Sequence, residues 1–216
     1  MSVASFCADD VADDHDIRIP MVIRGPGIKA DSTFDFIGSN VDVAPTFLSL
    51  VGMDPTQTDP PMDGKSIAHK LIDPTDPSVP LDTARSVRRE LDALDLAVGD
   101  SQDATWRDHH WVEYNSLGAV TRTGHLVDDP NSNTYRALRF FGSATHGNML
   151  YAEFTALSNW DYDNTTDGSD LFIEMYDLDK DPHQLHNIAK ESSPSLKAQL
   201  HAMAVKQFAC AGATCS

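Results

Sequence analysis

Apolar side chains crowd an early stretch, "DIRIPMVI", before "RGPGI" ends the run. A dense apolar run closed by Gly-Pro-Gly predicts a strand over Ile19–Ile23 covered on both faces, as inside a parallel sheet. A helical pattern follows in "SNVDVAPTFLSLVGMDP". Asp42 takes the N-cap place, Pro45 falls in the first turn, and Val43, Thr46, Phe47 and Leu50 recur at helical spacing up to a stop at Gly52. Strand, turn, strand and helix in this order make an α/β fragment.

Residues 54–80 are rich in proline and aspartate and read as loop with one short helical piece around Ile67–Leu71. In "LDTARSVRRELDALDLAV" the residues Ala84, Val87, Leu91, Leu94 and Val98 share one stripe, which predicts an amphipathic helix with a wet opposite face. From Trp106 the apolar period falls to two. "HWVEY", "TYRALRF", "LYAEFTAL" and "LFIEMYDL" predict four short strands of an antiparallel sheet. The last helix is "SPSLKAQLHAMAVKQF", with Ser193 as cap, Pro194 as first residue, and Leu196, Leu200, Met203 and Phe208 toward the sheet.

The early run is the odd element, because the residues before it are mostly small or acidic. Leaving Ile17, Ile19, Met21, Val22 and Ile23 without neighbours forfeits about 2 kcal/mol each, roughly 10 kcal/mol in all. That is as large as the stability of an ordinary domain. The expectation is that the partners of this strand lie in chain outside these 216 residues.

Charge narrows the function. With 33 acidic against 16 basic residues the formal net charge is −17, and a phosphate-binding face needs the reverse. Arg85, Arg88 and Arg89 are the one tight basic cluster, set among acids on a helix. No run of eighteen apolar residues predicts a membrane span. Cys210 and Cys215 close a short glycine-containing loop able to form a disulfide in an oxidising compartment, and Asn164-Thr165-Thr166 is a glycosylation sequon. Residues 1–13 form an acidic leader without the basic and apolar regions of a secretion signal.

Several of these stretches, taken together, resemble the C-terminal part of the sulfatase family. "DIRIPMVIRGPGI", "SNVDVAPTFLSLVGM" and "MDGKSIAHKL" are similar to the end of the family's catalytic domain, and "HWVEY" and "EMYDLDKDPHQLHNIAK" to its C-terminal subdomain. The closing stretch, "SPSLKAQLHAMAVKQFACAGATC", resembles the N-acetylglucosamine-6-sulfatase branch, including the final cysteine pair. The resemblance implies an α/β fold, an incomplete alkaline-phosphatase-like sulfatase core, followed by a small α+β subdomain with a four-stranded antiparallel sheet and a C-terminal helix. The division it implies is an unmatched leader at 1–13, the end of the catalytic domain at 14–72, a linker with the amphipathic helix at 73–105, and the C-terminal subdomain at 106–216.

Members of that family hydrolyse sulfate esters with a formylglycine, made from Cys or Ser in C/S-x-P/A-x-R, and a calcium ion held by acidic and amide side chains. The resemblance implies a lysosomal or extracellular parent enzyme acting on sulfated glucosamine of glycans. Residue by residue, the carry-over to catalytic and metal-binding positions is negative. Cys7 leads into "CADDV", without Pro or Arg, and Ser78 leads into "SVPLD", ending in Asp82 where Arg is required. The family's sulfate-binding Lys should stand about ten residues before Arg18, on ground held by Ala8, Asp9 and Asp10. No catalytic residue, metal ligand or cofactor is therefore assigned to this chain, and it is expected to be inactive by itself. A second reading is a non-catalytic glycan-binding or structural protein derived from a sulfatase tail.

Weaker candidates are weighed against plainer roles. "ADDVADDHD" (8–16) offers oxygen ligands for a hard cation but reads better as a solvated leader. "DNTTDGSDLFIE" (163–174) imitates a calcium loop, yet its flanks are strands and Asp170 sits where an apolar residue should pack. The strand matching "HWVEY" lies toward the substrate side in the family, which makes His110 and Glu113 candidate substrate contacts; a structural role is the plainer alternative. Trp106, Trp111 and Trp160 are expected as core or subdomain contacts, with sugar stacking as the lesser alternative.

Overall fold

The computed structural model describes residues 2–3, 14–34, 36–97, 106–115, 134–155 and 171–215. The readings of Cys7, of 8–13 in the candidate metal stretch, of Val98, of Trp160, and of Asn164 with 163–170 of the calcium-like loop fall outside the described residues. The chain divides into two compact units, one of Met1–Val3, Pro20–Arg107 and Cys210–Ser216, the other of Ala4–Ile19 and Asp108–Ala209.

In the second unit, β1 (His109–Tyr114), β2 (Thr134–Phe140), β3 (Met149–Thr155) and β4 (Phe172–Asp177) form an antiparallel meander in the order β1-β2-β3-β4. The period-two pattern foresaw all four strands. β2 and β3 are buried along their whole length, so both faces of the sheet are covered. On one face Tyr135, Ala137, Leu150, Ala152, Phe154 and Tyr176 pack with Ile17, from the short helix α1 (Asp14–Ile17). Ile17, expected to be stranded, thus sits in this core at 6% exposure.

The opposite face, with Leu138, Phe140, Tyr151 and Met175, carries the C-terminal helix Pro194–Phe208 through Leu200 and Ala204, with Leu196 and Met203 packed beside them. Ser193 caps that helix, its hydroxyl accepting from the Leu196 amide at 3.2 Å. The free edge of β4 is covered by the chain itself. Asn187 accepts from the Met175 amide and donates to the Ile173 carbonyl, and the Ile188 amide donates to the Met175 carbonyl at 2.9 Å.

The first unit holds α2 (Val43–Leu50), α3 (Ala68–Leu71) and α4 (Leu81–Ala93); the C-terminal helix of the second unit is α5. Ile67, Leu71, Ile72 and Val79 pack with Ala84, Val87 and Leu91, the buried stripe of α4, and Ile23 and Trp106 join them at the margin. α4 ends at Ala93, so the stripe is one turn shorter than predicted. Hydroxyls on α4 tie it to the end of α2: Thr83 donates to the Leu50 carbonyl at 2.6 Å and Ser86 to that of Met53 at 3.0 Å. Gly52, at φ +85°, ends α2, and a Cβ there would meet Asp82 at 2.7 Å.

Two expectations are corrected here. The run Ile19–Ile23 does not form a doubly covered strand: only Ile19–Pro20 is in strand conformation and Val22 is 93% exposed. Its ladder is only two residues long, and Pro20 has no amide with which to extend it. Phe47 does not face the core either, at 63% exposure; the buried side of α2 is Pro45, Thr46 and Ser49.

Candidate functional site

The sheet register decides how the two sequence candidates are placed. His110 pairs with Arg139, which pairs with Leu150, while Glu113 pairs with Arg136, which pairs with Glu153. Cross-strand partners share a face, and residues an odd number apart on one strand do not. His110 and Glu113 therefore stand on opposite faces of the sheet and do not share a site. Beside His110, Arg139 is held by Asp14 and donates to the Asn148 side chain at 2.7 Å, which anchors α1 on that face.

Glu113 belongs to the face under α5. There a row of alternating charge, Glu113, Arg136 and Glu153, crosses three strands. Glu153 is fully buried and its carboxylate takes three donors. Arg136 Nε reaches Oε2 at 2.7 Å, while the Tyr151 hydroxyl at 2.6 Å and His201 Nδ1 at 2.7 Å both reach Oε1. Such donors offset the desolvation of a buried carboxylate. Burial, with Glu153 adding to it, raises the Tyr151 hydroxyl pKa, so that group stays a neutral donor.

Burial also pushes the Glu113 carboxyl up to about 7, against the pull of Arg136. Its folded pKa thus lies above the unfolded value near 4.5, and the folded chain binds the extra proton in between. The stability it contributes is full below about pH 4.5 and is lost as pH rises to about 7. Urea midpoints measured in steps across that window should fall for the wild type relative to Glu113→Gln. Parallel curves for the two would contradict the raised value.

In the first unit the sequence placed Asp42 at a helix start, and the structure gives its carboxylate other work. It makes no side-chain cap to α2. Instead it accepts the amides of Ser39 at 2.9 Å and Lys65 at 2.8 Å and a bidentate pair from Arg107 at 3.0 and 2.8 Å, at 1% exposure. The close approach of the Lys65 segment requires Gly64, where a Cβ would lie 2.0 Å from the Val41 carbonyl oxygen. The S-x-x-D spacing of Ser39 and Asp42 was the available sequence signal; Arg107 lies too far along the chain for any pattern to pair it.

Nearby, a cavity of about 320 Å³ is lined by Pro45, Pro61, Met62, Leu94 and Trp106, with His69, Glu90, Asp63 and Lys65 among its polar groups. His69 approaches Glu90 through both its amide and Nδ1 at 3.3 Å, and Ser49 donates to the same carboxylate. Trp106 donates to the Ile37 carbonyl at 2.7 Å. The wall also includes Gly212, from the loop closed by the Cys210–Cys215 disulfide. Its amide donates to Asp63 at 2.6 Å, and at φ +57° a Cβ there would meet Pro61 at 2.8 Å. The cysteine pair foreseen from the sequence is thus bonded in the structure. Among the described residues no group of three or more His, Cys, Asp or Glu side chains could hold a metal ion, and no helix is long and apolar enough to cross a membrane.

No protein-family model and no solved structure matches the chain. Characterised proteins do. N-acetylglucosamine-6-sulfatase of Bos taurus is 28% identical over 215 residues, covering 93% of this chain and 31% of that protein. The Homo sapiens N-acetylglucosamine-6-sulfatase is 27% identical over the same span. An arylsulfatase of Chlamydomonas reinhardtii is 28% identical over 208 residues, covering 94% of this chain and 27% of that protein. Along almost its whole length the chain is similar to sulfatases. Among these it is similar to N-acetylglucosamine-6-sulfatase, and it spans 31% of the length of those relatives.

Proposed function

We propose that these 216 residues are the C-terminal portion of a sulfuric ester hydrolase resembling N-acetylglucosamine-6-sulfatase, one that removes sulfate from glucosamine units of glycosaminoglycans in a lysosomal or extracellular setting. The carrying observation is the 28% identity to such an enzyme along 93% of the chain. The described residues offer no ligand set that fits a calcium ion, and the sequence holds no C/S-x-P/A-x-R motif, so no step of ester hydrolysis is assigned to them. Formylglycine and calcium belong, on this reading, to the rest of the parent enzyme, where they supply the nucleophile and the charge that receives sulfate. This portion contributes scaffold and substrate-side surface.

Sequencing the transcript upstream of the Met1 codon tests the proposal. An in-frame C/S-x-P/A-x-R motif is expected there. A stop codon directly upstream, with no such motif before it, would contradict the parent enzyme.

A further inference from the structure

The second unit contains a cavity of about 790 Å³ beside β4 and the first half of α5, lined among others by Ile173, Asn187, Lys190, Lys197, Ala198 and His201. Its size lies in the range of small-molecule sites. His201 is 8% exposed, and its Nδ1 is held 2.7 Å from the buried Glu153 carboxylate. That bond fixes the ring and leaves Nε2 as the nitrogen available to the cavity. The carboxylate behind it is itself fixed by Arg136 and Tyr151, so the imidazole is oriented by a rigid buried network.

The rest of the wall fits the same ligand. Lys190 and Lys197 add two ammonium groups, a local excess of positive charge on a chain whose formal net charge is −17. Asn187 is spent on the Met175 amide, the Ala189 amide and the Ile173 carbonyl, which holds that wall in place before any ligand arrives. The apolar part of the lining, with Leu171, Phe172, Ile173, Pro194 and Ala198, suits the C–H face of a pyranose ring. Pre-set donors around an apolar floor lower the ordering cost of binding.

We propose that this cavity binds an anionic saccharide, its sulfate or carboxylate received by Lys190, Lys197 and the Glu153-oriented His201. The proposal stands on the cavity alone, and binding is read without turnover, so its failure leaves the sulfatase reading untouched. The test is isothermal titration calorimetry of the 216-residue chain with three disaccharides: one bearing a 6-sulfated glucosamine, one bearing only a uronate, and neutral chitobiose. Saturable binding of at least one charged disaccharide is expected, with none for chitobiose. The double variant Lys190→Ala/Lys197→Ala should weaken it by about tenfold or more. Both lysines can be removed without touching the Glu153 network, and circular dichroism checks that the fold persists. His201→Gln should weaken binding as well. Absence of saturation with either charged sugar, equal affinity for chitobiose, or an unchanged affinity in the double lysine variant would overturn the proposal.

Discussion

Replacing Arg107 by alanine is expected to destabilise the first unit by about 3–5 kcal/mol, the usual cost of breaking a buried ion pair from one side. The Asp42 carboxylate is 1% exposed and the Arg107 side chain 11%, so water cannot take over the lost contact. Two parallel N–H···O bonds at 3.0 and 2.8 Å disappear together, leaving the charge with only the Ser39 and Lys65 amides. A loss of this size approaches the whole stability of a small domain. Urea unfolding with amide exchange read at Ser39–Asp42 and Lys65 measures it. Arg107→Lys should lose an intermediate amount, since a single ammonium cannot supply the planar fork. A loss below about 1 kcal/mol for Arg107→Ala would show that the two backbone amides satisfy the carboxylate by themselves.

The second large effect is expected at Glu153. Glu153→Ala strips the common acceptor from Arg136, Tyr151 and His201 inside a fully buried site, and should cost the second unit about 3–5 kcal/mol. Glu153→Gln keeps the volume but turns an NH2 group toward donors, so it too should destabilise, by less. Unfolding followed by near-ultraviolet circular dichroism, sensitive to Tyr151 packing, measures both. If Glu153→Gln matches the wild type, the carboxylate charge contributes nothing and the row across the sheet is ordinary polar filling.

How much of this was legible depends on distance along the chain. The strands and α5 were readable because period two, the Ser193 cap and Pro194 are local signals, and local preference agreed with the tertiary outcome. Glu153 was not. In "LYAEFTAL" a glutamate at an alternating position reads as solvent-facing, and only the docking of α5, with His201 forty-eight residues later, makes it internal. Asp42 and Arg107 are sixty-five residues apart and escaped for the same reason. The register that separates His110 from Glu113 was implicit in their odd spacing, but which face each would occupy needed the neighbours.

The early apolar run failed differently. Its composition announced burial, and composition alone cannot say against what. Ile17 finds the sheet core and Ile23 the margin of the helical unit, while Val22 stays in solvent. The similarity to sulfatases was legible in ordered motifs and is upheld along nearly the whole chain.

The proposed reading gives these 216 residues the scaffold of a sulfatase without its sulfate-cleaving groups. The most direct measurement is hydrolysis of 4-methylumbelliferyl sulfate by the purified 216-residue chain, with calcium added and with calcium chelated. Fluorescence release at the uncatalysed rate in both is predicted; calcium-dependent turnover above that rate would contradict it.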